Sequence, residues 1–152
     1  MNKLRTLQII HLAYCIGPLL FTSVVLFINH PNQHLSFETI SSDPLLIIAP
    51  LMAIFSIVVS QIVFNSLLSK INANLSSSIS NKFTQYQTAF IVKAAFLEGA
   101  ALFNIVVFLM TSNLLTILFT VACIIFLWFS RPTTEKISGD LNLPDTNSLN
   151  GV

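Results

Sequence analysis

The chain has 152 residues, of which 54% are hydrophobic and 9% charged, and its formal net charge is +1. That balance excludes an ordinary water-soluble domain, in which about a quarter of residues are charged, and the near-neutral charge gives no basis for a nucleic-acid partner. Thirteen phenylalanines suit a surface that hydrocarbon, rather than protein or water, covers.

A bilayer core about 30 Å thick needs about 20 apolar residues in a helix, and four runs approach that length: residues 7–28, 45–68, 87–110 and 114–130. They predict an all-α membrane protein, a four-helix transmembrane bundle over residues 1–132, followed by a polar tail over 133–152. The first run follows Lys3 and Arg5, as a signal peptide would. It exceeds the roughly 7 to 15 residues of a signal core and lacks a small-x-small cleavage site, so it is read as a retained span. Pro18 within it predicts a kink, as does Pro50 in the second run.

The polar stretch 29–44 holds His30, His34 and Glu38 at four-residue spacing, which on one helical face could suit a metal. Pro31 fits the first helical position and would make His30 a cap. Solvated histidines are therefore expected, and no metal site. A second polar stretch, 69–86, precedes the third run, and Thr111 to Asn113 allow only a tight hairpin between the third and fourth. After Pro132 the tail admits a short helix over 134–143, while its Asn, Ser, Asp and Gly content predicts fraying from Ser138 onward. Cys15 and Cys123 lie in different apolar runs, without the spacing of a redox pair or zinc site, and read as small buried residues.

Lys3, Arg5, Lys70, Lys82, Arg131 and Lys136 fall on the amino terminus, the middle loop or the tail, whereas the other two loops hold no basic residue. Because Lys and Arg are retained on the cytoplasmic side, both termini are predicted to be cytoplasmic. Lys93 lies inside the third run but close enough to its cytoplasmic end to snorkel.

Glu98 is the chief chemical lead. At about 1.5 Å per residue it lies roughly 16 Å from Gln87, near the bilayer midplane. A charge there costs about 2.5 to 3.5 kcal/mol on insertion scales, so the carboxylate must be neutral, paired, hydrated or turned toward other helices. Ala95 and Gly99 beside it form a small-xxx-small step that lets helices approach closely. By depth, Ser56 and Thr120 are candidate partners of Glu98, and Gln61 and Tyr14 of Lys93. A direct Lys93–Glu98 pair is not expected at a five-residue separation.

The stretch from Gln87 to Asn104, QTAFIVKAAFLEGAALFN, resembles the carboxylate helix of the rotary ATPase proteolipid, or c, subunit, with a cytoplasmic loop before it. That resemblance implies that Glu98 binds a transported proton or sodium ion, with Gln61 on the preceding helix as co-ligand. The preceding span has no glycine, Lys93 stands at an apolar or small position of that family, and two further spans flank the hairpin. The chain as a whole resembles small uncharacterised four-span bacterial inner-membrane proteins, which implies a multi-pass inner-membrane location and no particular activity. Its span number is also that of the small trimeric membrane enzymes of glutathione and eicosanoid metabolism, but their arginine-rich signature is absent. The functional expectation is a homo-oligomeric or complex-bound subunit that binds or relays a cation or proton at Glu98. The alternatives are an assembly partner without transport activity and a small membrane enzyme. No catalytic residue and no cofactor is assigned.

Overall fold

The computed structural model describes residues 3–37, 43–74 and 78–143. The described residues form five α-helices: α1 (Lys3–Ile28), α2 (Pro44–Ala73), α3 (Ile79–Thr111), α4 (Leu115–Phe129) and α5 (Thr134–Asp140), with a 3₁₀ turn at His30–Asn32. Helix is the one local structure that satisfies a hydrocarbon-embedded segment's backbone groups within the segment itself. Accordingly α1, α2 and α3 are long and apolar enough to cross a membrane. The fourth apolar run differs. It makes a helix of 15 residues, about 22 Å long, and reaches spanning length only together with α5, which bends away from it by 84°.

Helix starts follow local chemistry. Asp43 accepts a hydrogen bond from the Leu45 amide at 2.9 Å, with Pro44 in the first turn, where a missing amide costs nothing. Ser78 and Thr133 accept from the amides of Asn81 and Lys136 in the same way. α3 ends at Ser112, whose φ of 56° lies in the left-handed region and turns the chain into α4.

The helices alternate in direction. Lys3 Nζ at the start of α1 donates to Ser80 Oγ at the start of α3 (2.7 Å), and Gln8 Nε2 reaches the Pro132 carbonyl beyond α4 (3.2 Å). The six basic residues of the flanks thus gather toward one end of the bundle, which we call the basic end. At the other end Asn29 Nδ2 reaches the Phe108 and Leu109 carbonyls, and His34 pairs through its backbone with the Ser112–Leu114 turn. α3 is the hub: it packs against α1, α2 and α4, whereas α1 and α2 make at most marginal contact with each other.

Packing is layered along α3. Leu7, Phe64, Phe83, Tyr86, Phe90 and Leu127 belong to a large cluster at the basic end. Ala53, Ala100, Ala101 and Cys123 form a small-residue layer near the middle, and Val25, Ile105, Phe108 and Ile117 close the far end.

Several expectations change. The polar stretch 69–86 is mostly helix, because α2 runs on to Ala73 and α3 begins at Ile79. These extensions are amphipathic, burying Ile71, Phe83 and Tyr86, so mean hydropathy falls while helical packing continues. The cap at the 3₁₀ turn is Asn29, not His30. Fraying from Ser138 is also overturned up to Leu143: Ile137 and Leu141 are buried in the main cluster and Ser138 is buried beside them. Apolar side chains at 137 and 141, four apart, lie on one face of α5 and dock it despite its polar composition. Residues 144–152 lie outside the described residues.

Ile137→Ala removes a fully buried side chain, a loss of about 2 kcal/mol or more. It is expected to raise the undocked fraction of α5 more than tenfold, read as faster limited proteolysis between Arg131 and Leu143 in detergent micelles.

Candidate functional site

α3 separates two polar loci. Residues five apart on a helix lie about 140° apart around its axis, so Lys93 and Glu98 address different neighbours. Lys93 faces α2 and α4, and Glu98 faces α1.

Glu98 is half-buried and meets Gly17. A Cβ added at Gly17 would stand 3.4 Å from Glu98 Oε1, so glycine lets the carboxylate lie close against the α1 backbone. Glu98 makes no hydrogen bond or ion pair among the described residues. On the next residue, Gly99, an added Cβ would meet nothing within 4 Å. Thr84, Thr88, Ala95, Gly99 and Val106 are all exposed and fall on one helical face, the face of α3 that its three neighbours leave uncovered. The Ala95–Gly99 step therefore opens outward, and Glu98 borders it on the α1 side.

Lys93 is 6% exposed. Its Nζ stands 4.8 Å from the centroid of the Phe64 ring, a cation–π arrangement worth about 0.5 to 2 kcal/mol. It lines a cavity of about 460 Å³ together with Gln61, Asn65, Phe126, Phe129, Lys136 and Asp140. Gln61 Nε2 donates to Asn65 Oδ1 at 3.3 Å, one turn along α2. Asp140 anchors α5 over the cavity: its carboxylate accepts from Tyr86 Oη (3.0 Å), and its carbonyl from Asn72 Nδ2 (2.8 Å).

The remaining expected residues divide between structural places. Gln61 shares the cavity of Lys93. Tyr14 is half-buried and packs on the main cluster. Thr120 is buried and donates to the Ala101 and Thr116 carbonyls (3.4 and 3.2 Å), tying α4 to α3. Ser56 is buried on α2. His30 and His34 are exposed, Glu38 lies outside the described residues, and no cluster of three or more potential metal ligands occurs among the described residues. Cys15 and Cys123 are free thiols, both buried.

Three residues matter that the sequence reading passed over. His11 is buried, its Nε2 2.8 Å from the Leu127 carbonyl, and its ring lies 5.8 Å from that of Phe90. With an acceptor opposite, Nε2 carries the proton in this pair. Asn104, fully buried on α3, donates to the Ala49 carbonyl of α2 (3.1 Å) and to Ala100 (2.9 Å). Gly17 stood beside Pro18, whose kink signal masked it. Each polar residue was visible as an isolated hydrogen-bonding group in an apolar run, which in hydrocarbon must find a partner.

No protein-family model, curated protein or solved structure matches the chain.

Removing the buried donor of His11 leaves the Leu127 carbonyl short of its side-chain partner. His11→Ala is expected to destabilise the bundle by about 1 to 3 kcal/mol, read from thermal unfolding in detergent, and His11→Gln, which keeps a donor, by less.

Proposed function

We propose that the chain is a multi-pass inner-membrane subunit with its basic end in the cytoplasm and α4 as a short fourth span. It would work as a homo-oligomer or within a larger membrane complex, binding or relaying a proton or cation at Glu98. The observation that carries this reading is a half-buried carboxylate without a hydrogen-bonded or ion-pair partner among the described residues, set beside an uncovered face of small residues. In hydrocarbon such a group is costly unless something neutralises it. A helix laid along Ala95 and Gly99 would approach closely enough to enclose Glu98 from the open side.

A second feature is compatible with a proton or cation at this place. Pro18 has no amide to donate to the Tyr14 carbonyl one turn earlier, so α1 holds a backbone oxygen that lacks its usual helical donor within one turn of Gly17. A carboxylate and such a carbonyl are both oxygen ligands, the type that suits a proton or a hard cation. The resemblance of the third span to the proteolipid carboxylate helix points the same way. Gln61 is less suited to a co-ligand role, because it shares the Lys93 cavity on another side of α3.

The exposed Ala95–Gly99 face also favours a simpler reading, in which the chain grips a neighbouring membrane protein and carries nothing. Two substitutions separate the readings. Gly99→Leu has open space for its side chain and is expected to leave monomer stability within about 0.5 kcal/mol while abolishing association, read as mass in mild detergent. Glu98→Gln retains hydrogen bonding. It is expected to leave association intact and to abolish proton or sodium flux into liposomes. Equal flux from the variant and the parent would leave the gripping role alone standing.

A further inference from the structure

The Lys93 cavity is not used by the Glu98 reading, and its composition is that of an anion site. Lys93 is more than nine-tenths buried, yet makes no hydrogen bond or ion pair among the described residues. The face of Phe64 returns a small part of what the ammonium loses on leaving water, a penalty of several kcal/mol for a buried ion. Asp140, the carboxylate lining the cavity, already accepts the Tyr86 hydroxyl and carries the docking of α5. Lys136, from α5, brings a second cation to the same space. Two cations against one engaged carboxylate leave an excess positive charge in a partly enclosed volume.

The walls describe what accompanies the anion. Phe126 and Phe129 of α4 line the cavity and are themselves 39% and 79% exposed to the outside of the bundle. An apolar rim thus runs from the basic interior toward the lipid-facing surface. Asn65 adds an amide whose Oδ1 is occupied by Gln61, which leaves its N–H groups to donate. About 460 Å³ falls within the roughly 300 to 1,000 Å³ of small-ligand sites.

We propose that this cavity binds a phosphate-bearing anion, with Lys93 and Lys136 as its cationic ligands. The same chemistry is offered by an anionic phospholipid headgroup, whose chains would lie along Phe126 and Phe129, and by a free phosphate from the aqueous side.

The full chain in a neutral detergent, titrated separately with phosphatidylglycerol, phosphatidylcholine and inorganic phosphate, tests this through thermal midpoint and native mass. A saturable upward shift with phosphatidylglycerol, with one lipid retained per chain and no response to phosphatidylcholine, supports the site with lipid as the source. A saturable shift with inorganic phosphate alone supports it with a soluble anion as the source. In either case Lys93→Met, unbranched, uncharged and one atom shorter, is expected to weaken apparent affinity about tenfold or more. Lys136→Met is expected to weaken it to a lesser degree, and Arg5→Gln, in a separate cleft with Trp128 and Arg131, to leave it unchanged. Should Lys93→Met fail to fold, the exposed Lys136→Met decides. The proposal is overturned if neither phosphatidylglycerol nor inorganic phosphate gives a saturable response, or if the response is undiminished in the lysine variants.

Discussion

Hydrogen bonds from a side chain on one helix to a backbone carbonyl on another are the interaction on which this bundle depends. Lipid tails are as apolar as leucine, so exclusion from water does not hold helices together inside a membrane. The helices must instead be joined by close packing and by polar groups that have nowhere else to go. Here His11 joins α1 to the Leu127 carbonyl, Asn104 joins α3 to the Ala49 carbonyl, and Thr120 joins α4 to the Ala101 carbonyl. Between Ala53, Ala100, Ala101 and Cys123 the small side chains let α2, α3 and α4 approach.

The same economy explains why two ionisable groups stand out. His11, Asn104 and Thr120 are engaged across helices, whereas Glu98 and Lys93 make no hydrogen bond or ion pair among the described residues. They sit on different sides of the hub helix and differ in enclosure. Glu98 lies at an open face beside Gly17 and Gly99, which the described residues leave uncovered. Lys93 lies within a cavity roofed by α5, with room for a ligand of modest size. An ionised group held in an apolar bundle without a close partner costs stability.

α5 shows how a polar segment becomes part of the core of an apolar helical bundle. Its seven residues contribute Ile137, with Leu141 just beyond, to the cluster around Phe83 and Tyr86. Asp140 then fixes the register by accepting from Tyr86 and Asn72. This docking brings Lys136 over the cavity of Lys93 and makes the basic end a built surface rather than a loose tail.

The apolar runs by themselves determined that the chain is helical, where its long helices lie and which flanks carry the basic residues, because hydropathy and length are properties of consecutive residues. The separation of Glu98 from Lys93 around α3 was also legible, since helical geometry fixes rotation. What the sequence missed depends on residues distant along the chain. The two-turn extension of α3 and the docking of α5 became readable only once Phe83, Tyr86 and Ile137 had a common core to enter. The division of the polar residues into a Gly17–Glu98 contact and a Lys93–Gln61 cavity was decided by the tertiary structure alone. Depth along the bilayer normal can be counted from sequence, but azimuth around a helix gains meaning only when its neighbours are placed. Ser56 and Thr120 were candidates for Glu98 by depth; packing engaged Thr120 with Ala101 instead and turned the Ala95–Gly99 step outward.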